Sequence, residues 1–179
     1  MNPQPDFASP KLFLIIAPPE MAKGLLADII AKFAQAEPVM VLDGGNSFNS
    51  YRIAHLVRLR GLGHKLALAN IQVARAFSCQ QMLALLEKTP TDGSPKVILN
   101  FLSTFSDDGL DVAERSHIFT QCLDRMRSLS RSAQVFISVC PPNADQVLER
   151  EWFARLQATA GNILFLKGQP IQPLPEGLF

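Results

Sequence analysis

Short apolar runs alternate with helical patterns along most of this chain. Six of the runs are nearly continuous in apolar character, which is typical of strands that are covered on both faces of a sheet. The sequence therefore predicts strands over residues 12–16, 39–42, 69–73, 97–101, 135–139 and 163–166.

The segments between these runs carry apolar residues at helical spacing. Ser78 is placed as an N-cap, and Gly61 as the residue that ends the preceding helix. Alternating strands and helices predict an α/β fold with a mostly parallel central sheet and helices on both faces, whose ligands bind beyond the carboxyl ends of the strands. The first predicted helix starts at Ala22, and the others cover residues 50–60, 78–87, 111–130 and 144–158.

Length and composition indicate one globular domain. The chain has 179 residues, of which 47% are hydrophobic and 18% charged. We expect a core domain over residues 11–168, a flexible lead-in over residues 1–10 and a proline-rich tail over residues 169–179. An odd count of three cysteines argues against a secreted disulfide framework, and no signal peptide or membrane span is predicted. These features favour a cytoplasmic protein.

The segment after the first predicted strand keeps the spacing of a phosphate-binding loop but loses most of its residues. In the pattern G-x-x-x-x-G-K-[ST], backbone N–H groups wrap around phosphate oxygens and the hydroxyl binds Mg²⁺. Lys23 keeps the lysine position, whereas Ala17 and Ala22 replace the glycines and Gly24 replaces the hydroxyl. Glu20 adds a negative charge. The pattern indicates a nucleotide-site scaffold with damaged chemistry.

The order of several segments resembles the ATPase core of the RecA/RadA recombinase family, over most of residues 11–168. Residues 39–48 (VMVLDGGNSF) resemble the family's strand-two ending, Asp-Thr-Glu-Gly-Thr-Phe. Residues 73–77 (VARAF) are similar to the Ala-Arg-Ala-Phe segment of archaeal and eukaryotic members. Residues 97–105 are placed like the Walker B strand and its sequel, and residues 162–168 resemble the late strand that ends in Arg/Lys-Lys-Gly.

The same resemblance places other residues at the positions that handle metal and water. Gly24 aligns with the Mg²⁺-binding hydroxyl, and Asn100 aligns with the Walker B aspartate. Gly45 aligns with the carboxylate that polarises the attacking water, and Cys140 lies at the sensor glutamine position. Phosphoryl transfer depends on positioning and charge stabilisation by these groups. The resemblance therefore implies little or no ATP hydrolysis.

We therefore expect a catalytically degenerate RecA-like P-loop NTPase fold, that is, a pseudo-ATPase. The resemblance implies a scaffold or regulatory subunit linked to DNA recombination or repair. Its expected partner is a RecA-type ATPase or another copy of the chain. No catalytic residue, metal site, required cofactor or membrane partner is expected.

Weak binding of ATP or ADP without hydrolysis is the first alternative. Lys23 would hold phosphate there, although it is equally well explained as a first-turn lysine of a surface helix. Asp43 would contribute too, or else would order the following glycine turn through bonds to backbone N–H groups. The candidate binding residues are Pro19, Glu20, Met21, Ala22, Lys23, Gly24 and Asp43.

Two further alternatives stay open. An enzyme of another class would use Asp43, Asp107 or Cys140 in the strand-end crevice, although Asp107 and Asp108 are also typical of a solvated turn before a helix. A DNA-binding module would use the basic stretch at residues 52–65, with contacts that weaken steeply with salt. The net charge of +1 makes nucleic-acid binding a weaker expectation.

Overall fold

The computed structural model describes residues 11–59, 63–106 and 109–167, with the backbone alone at His64. Within these ranges six parallel strands form one sheet with the order β3-β2-β4-β5-β1-β6. The strands are β1 (Lys11–Ile16), β2 (Val39–Asp43), β3 (Ile71–Arg75), β4 (Lys96–Leu99), β5 (Gln134–Val139) and β6 (Asn162–Phe165).

Helices cover both faces of the sheet, so the predicted α/β class is confirmed. One face packs against α1 to α3 and the other against α4 to α6. A 3₁₀ helix at Phe101–Phe105 follows β4. The α-helices are α1 (Pro19–Ala34), α2 (Ser50–Leu59), α3 (His64–Ala69), α4 (Cys79–Lys88), α5 (Val112–Leu129) and α6 (Val147–Thr159).

The alternation of side chains along β1 divides the core into two halves. Phe13 and Ile15 point towards α1, while Leu14 and Ile16 join the half under α4 to α6. Residues of the central strand β4 are all buried, whereas those of the edge strands β3 and β6 are partly exposed. This gradient explains why the central strands have the purest apolar sequences.

The structure corrects the predicted starts and ends of several elements. Helix α1 begins at Pro19 rather than Ala22, because proline is well suited to the first position of a helix. Strand β4 ends at Leu99, since Asn100 adopts a left-handed backbone conformation with φ of 48°. Phe101 therefore lies in the 3₁₀ helix and not in the predicted strand.

Helix α3 was not predicted from the sequence. Gly63, with φ of 95°, precedes this short helix, and β3 starts only at Ile71. Ala69, which the apolar pattern assigns to a strand, is the last residue of α3. The Ser78 N-cap is confirmed, because its hydroxyl accepts from the Gln81 N–H.

The predicted lead-in at residues 1–10 and tail at residues 169–179 lie outside the described residues. So do Gly61 and the acidic pair Asp107 and Asp108. Among the helices of the described ranges, none has both the length and the apolar character needed to cross a bilayer.

Candidate functional site

The carboxyl ends of β1, β4 and β5 meet beside the first turns of α1. Lys23, Asn100 and Cys140 line one cavity there, so positions that the sequence aligns with a nucleotide site do come together. The cavity has a volume of about 20 Å³. That volume holds about one water molecule. The crevice is therefore filled by the protein itself.

The connection between β1 and α1 is a turn of two residues, Ala17 and Pro18. The N–H groups of Met21 and Ala22 both donate to the Pro18 carbonyl, at 3.1 and 3.0 Å. Pro18 and Pro19 have no N–H. Within residues 18–22, Glu20 is therefore the one residue whose N–H does not take part in these two bonds. A phosphate-binding nest needs several outward-facing N–H groups. This turn lacks them.

Lys23 forms an ion pair within the same helix. Its Nζ lies 2.8 Å from Oε1 of Glu20, and its side chain is about one-third exposed. The hydrogen bond from Lys23 lowers the pKa of Glu20, and the charge of Arg52 lowers it further. The Lys23 ammonium is thus already paired with the Glu20 carboxylate. A phosphate bound here would have to compete with that carboxylate for the lysine.

Gly24 makes room for an arginine of the neighbouring helix. A Cβ atom at this position would lie 3.0 Å from a terminal guanidinium nitrogen of Arg52. The residue that aligns with the magnesium-binding hydroxyl therefore lies at a close contact between α1 and α2.

Asp43 is fully buried at the end of β2, where it organises the following loop. Its Oδ1 accepts from the Ser47 N–H at 2.7 Å, and its Oδ2 accepts from the Phe48 N–H at 3.1 Å. The Nε of Arg75 lies 3.3 Å from Oδ2. These bonds are the turn-ordering role that the sequence offered for Asp43. They occupy the oxygens that a metal or ligand would use.

Gly45 packs against Asn100 from the loop that follows β2. A Cβ atom at position 45 would overlap the amide nitrogen, Cβ and Cγ of Asn100. Gly44 is also tightly enclosed, with Leu99, Met82 and Thr104 atoms each 3.0 Å from its ideal Cβ. A carboxylate at position 45 therefore does not fit without movement of Asn100.

The backbone N–H and carbonyl of Asn100 are both hydrogen-bonded to serine hydroxyls. Its N–H donates to the Ser138 hydroxyl at 2.8 Å, which ties the ends of β4 and β5 together. The Ser103 hydroxyl contacts the carbonyls of both Asn100 and Gly44, at 2.8 and 2.6 Å. Asparagine tolerates the left-handed conformation better than most residues. Local geometry thus accounts for this residue without a metal.

The remaining candidates do not form a catalytic group among the described residues. Cys140 is exposed at the end of β5, and the partners of the Asp43 carboxylate do not include it. His55 and His117 are exposed on separate helices. Across the described ranges no group of three His, Cys, Asp or Glu residues could hold a metal ion.

An open groove lies on the other side of Lys23. It has a volume of about 360 Å³ and runs between the first turn of α1 and the loop before α2. Lys23 and Arg52 supply positive charge, and the ring of Tyr51 is almost fully exposed beside them. Glu20 lines the same groove and opposes that charge.

Two ion pairs, each with one buried partner, were not predicted from the sequence. Arg75 pairs with Asp43 because the parallel register sets the last residues of β2 and β3 side by side. Lys96 is 1% exposed, and its Nζ lies 2.7 Å from Oδ1 of Asp92. One sequence feature could have indicated the Lys96 pair. Lys96 directly precedes an apolar run, and Asp92 lies four residues before it.

No known family model matches this chain, and the curated proteins include no significant match to it. Fold and site together define an α/β protein with a parallel sheet and a filled strand-end crevice.

Proposed function

We propose that this chain is a catalytically degenerate RecA-like protein, a scaffold or regulatory subunit rather than an ATPase. The support is that two of the departures from the RecA-like pattern lie at close contacts with neighbouring side chains. Gly24 accommodates Arg52, and Gly45 accommodates Asn100. The changes belong to one consistent packing arrangement, which replaces the groups that would bind metal and water.

The observation that carries this proposal is the turn between β1 and α1. A triphosphate needs a loop of free N–H groups at this point. Here Met21 and Ala22 donate to Pro18, and two consecutive prolines remove further donors. Opening the turn would break the first bonds of α1 and would still leave no N–H at Pro18 and Pro19. Rearrangement of side chains alone cannot restore the nest.

The setting of recombination or repair, and a RecA-type ATPase or a second copy as partner, follow from the resemblance alone. Among the described residues the surface has ten large hydrophobic side chains that are exposed, including Tyr51, Leu59 and Val147. Scattered singly, such side chains are ordinary on a protein surface, so the partner rests on the resemblance.

Steady-state ATP turnover in the presence of Mg²⁺ tests the proposal. We expect phosphate release indistinguishable from the buffer rate, and equal for the wild type and Lys23→Ala. Turnover that Lys23→Ala abolishes would contradict a pseudo-ATPase. Arg131→Ala, at an exposed site after α5, is the matched control for a lost cation.

Nucleotide binding without hydrolysis is the second candidate, and the open groove beside Lys23 favours it. The volume of about 360 Å³ lies in the range of small-ligand sites, and Arg52 and Tyr51 offer charge and a stacking surface. A thermal shift with millimolar ADP that is lost in Arg52→Ala would support this candidate. No shift would eliminate it.

A further inference from the structure

Charge is distributed unevenly along this chain despite its net charge of +1. Residues 44–86 contain no Asp or Glu. They include the whole of α2 and α3, together with β3 and most of α4. Their cations are Arg52, Arg58, Arg60, Lys65 and Arg75.

Three of these cations, Arg52, Arg58 and Lys65, are exposed on α2 and α3 together with apolar side chains. The exposed residues of α2 fall on one stripe, since Ile53 and Val57 face the core. Tyr51 is 89% exposed, Leu59 69% and Leu66 67%. We call this surface the basic face, and it consists of Tyr51, Arg52, His55, Arg58, Leu59, Lys65 and Leu66.

The composition of the basic face favours a protein as its partner. Tyrosine and arginine are enriched at protein interfaces, and exposed leucines gain from burial there. A nucleic-acid backbone would contact the cations but leave Leu59 and Leu66 in water. Insertion into a lipid surface requires a broad outward apolar face, whereas the apolar stripe of α2 packs inward.

A surface of complementary chemistry lies on the opposite side of the sheet. Helices α5 and α6 run in the same direction, because Arg115 lies over the Trp152 ring and Arg127 bonds Thr159 further along. Their N-terminal ends are therefore neighbours at the carboxyl edge of the sheet. We call this surface the acidic face, and its exposed residues include Asp111, Val112, Glu114, Asp145, Val147 and Glu151.

The acidic face also carries exposed apolar side chains. Val112 is 52% exposed and Val147 75%. Of the nearby arginines, Arg115 is half-buried and donates to the Phe105 carbonyl, whereas Arg150 is exposed and lies 3.5 Å from the Ala144 carbonyl. The four carboxylates of the acidic face outnumber this exposed arginine, so the face is negative and carries valines. The basic face is positive and carries leucines and a tyrosine.

We propose that the acidic face of one copy binds the basic face of another copy. The two surfaces differ, so the contact is heterologous and joins copies head to tail. Opposite charges on the two faces give orientation and faster association, and burial of Leu59, Leu66 and Val147 stabilises the contact. This inference rests on the proposed scaffold function and names its partner as a second copy of the chain.

Sedimentation velocity of the full chain over a concentration series tests the proposal. We expect the average mass to rise with concentration at about 50 mM salt and to fall towards the monomer at about 500 mM, because salt screens exposed charges. Arg58→Glu with Lys65→Glu reverses the basic face, and Asp145→Lys with Glu151→Lys reverses the acidic face. Each double variant should weaken self-association at least tenfold. Arg131→Glu is the matched control and should assemble like the wild type.

Mixing the two double variants gives the sharpest result. Each keeps one native face, so the mixture should form a heterodimer although each variant alone is monomeric. A monomeric wild type at every concentration and salt would overturn the proposal. So would binding of a single-stranded oligonucleotide or anionic vesicles by a monomeric wild type and its loss on reversal of the basic face. None of these outcomes alters ATP turnover, so failure here is distinguishable from failure of the pseudo-ATPase proposal.

Discussion

Gly45 lies so close to Asn100 that a Cβ atom on the glycine would overlap the asparagine side chain. The contact joins the loop after β2 to the end of β4. Two positions that the RecA-like pattern fills with carboxylates are here fitted to each other. A side chain at position 45 therefore competes with the Asn100 side chain for the same space.

We predict that Gly45→Ala lowers the free energy of unfolding by about 1–3 kcal/mol, because the added methyl group must displace Asn100. The cost should fall by at least about 1 kcal/mol in an Asn100→Gly background, where the obstructing side chain is absent. Urea denaturation of the four proteins of this cycle measures both effects. Gly161→Ala is the control, since its nearest contact would be an ordinary 3.7 Å. Equal costs in both backgrounds would contradict the packing account.

Asp43 is predicted to act on stability rather than on ligand binding. Asp43→Ala leaves the N–H groups of Ser47 and Phe48 without their acceptor and removes the partner of Arg75. We expect a loss of about 2–4 kcal/mol in unfolding free energy. The exposed Asp124→Ala should change it by no more than about 0.5 kcal/mol. If Asp43→Ala unfolds at the wild-type urea concentration, the carboxylate has another role.

The ion pair of Asp92 with Lys96 predicts a specific dependence of stability on pH. The hydrogen bond from Lys96 lowers the pKa of Asp92 from 3.8 to about 2. Because the folded pKa is below the unfolded pKa, the stabilisation is complete above about pH 4 and is lost as the pH falls towards 2. Asp92 is half exposed, so screening reduces this contribution to about 1 kcal/mol.

Comparison of the wild type with Asp92→Asn isolates that contribution. The wild type should be more stable at pH 6, and the difference in unfolding free energy should shrink between pH 4 and pH 2. A difference that stays constant over this interval would show that the Asp92 pKa is not lowered in the folded protein.

The three cysteines should differ in reactivity. Cys140 is exposed, whereas Cys79 and Cys122 are buried, and burial strongly raises the pKa of the Cys122 thiol. We expect a thiol reagent to modify one cysteine in the native protein and three after unfolding, by intact mass. Cys140→Ser should show no modification in the native state. Rapid native labelling of that variant would contradict the described burial.

The sequence predicted the architecture well because the sheet is parallel and covered on both faces. Strands such as β5 are nearly continuous apolar runs, and the predicted helix over residues 111–130 agrees with α5 to within a residue at each end. Helix α3 was missed, since its six residues are too short to establish a helical period. The end of β4 was misplaced because the left-handed conformation of Asn100 leaves no clear trace in hydrophobic patterning.

The candidate site was harder to predict than the fold. The resemblance aligned Gly24 and Gly45 with functional groups, but it could not indicate that Arg52 and Asn100 lie close to them. Those contacts join residues about 30 to 55 positions apart and depend on how helices and loops pack. Likewise, the Lys23 position matched a phosphate ligand, while its bond to Glu20 depends on α1 starting three residues earlier than predicted.

Titration calorimetry with ATP, in the presence and absence of Mg²⁺, measures whether the turn between β1 and α1 binds a triphosphate. The collapsed turn at Pro18 predicts no saturable heat at ligand concentrations up to about 1 mM, where a Kd of 1 mM corresponds to about −4 kcal/mol. The wild type and Lys23→Ala should give the same trace. Saturable binding that Mg²⁺ strengthens and Lys23→Ala removes would contradict the account.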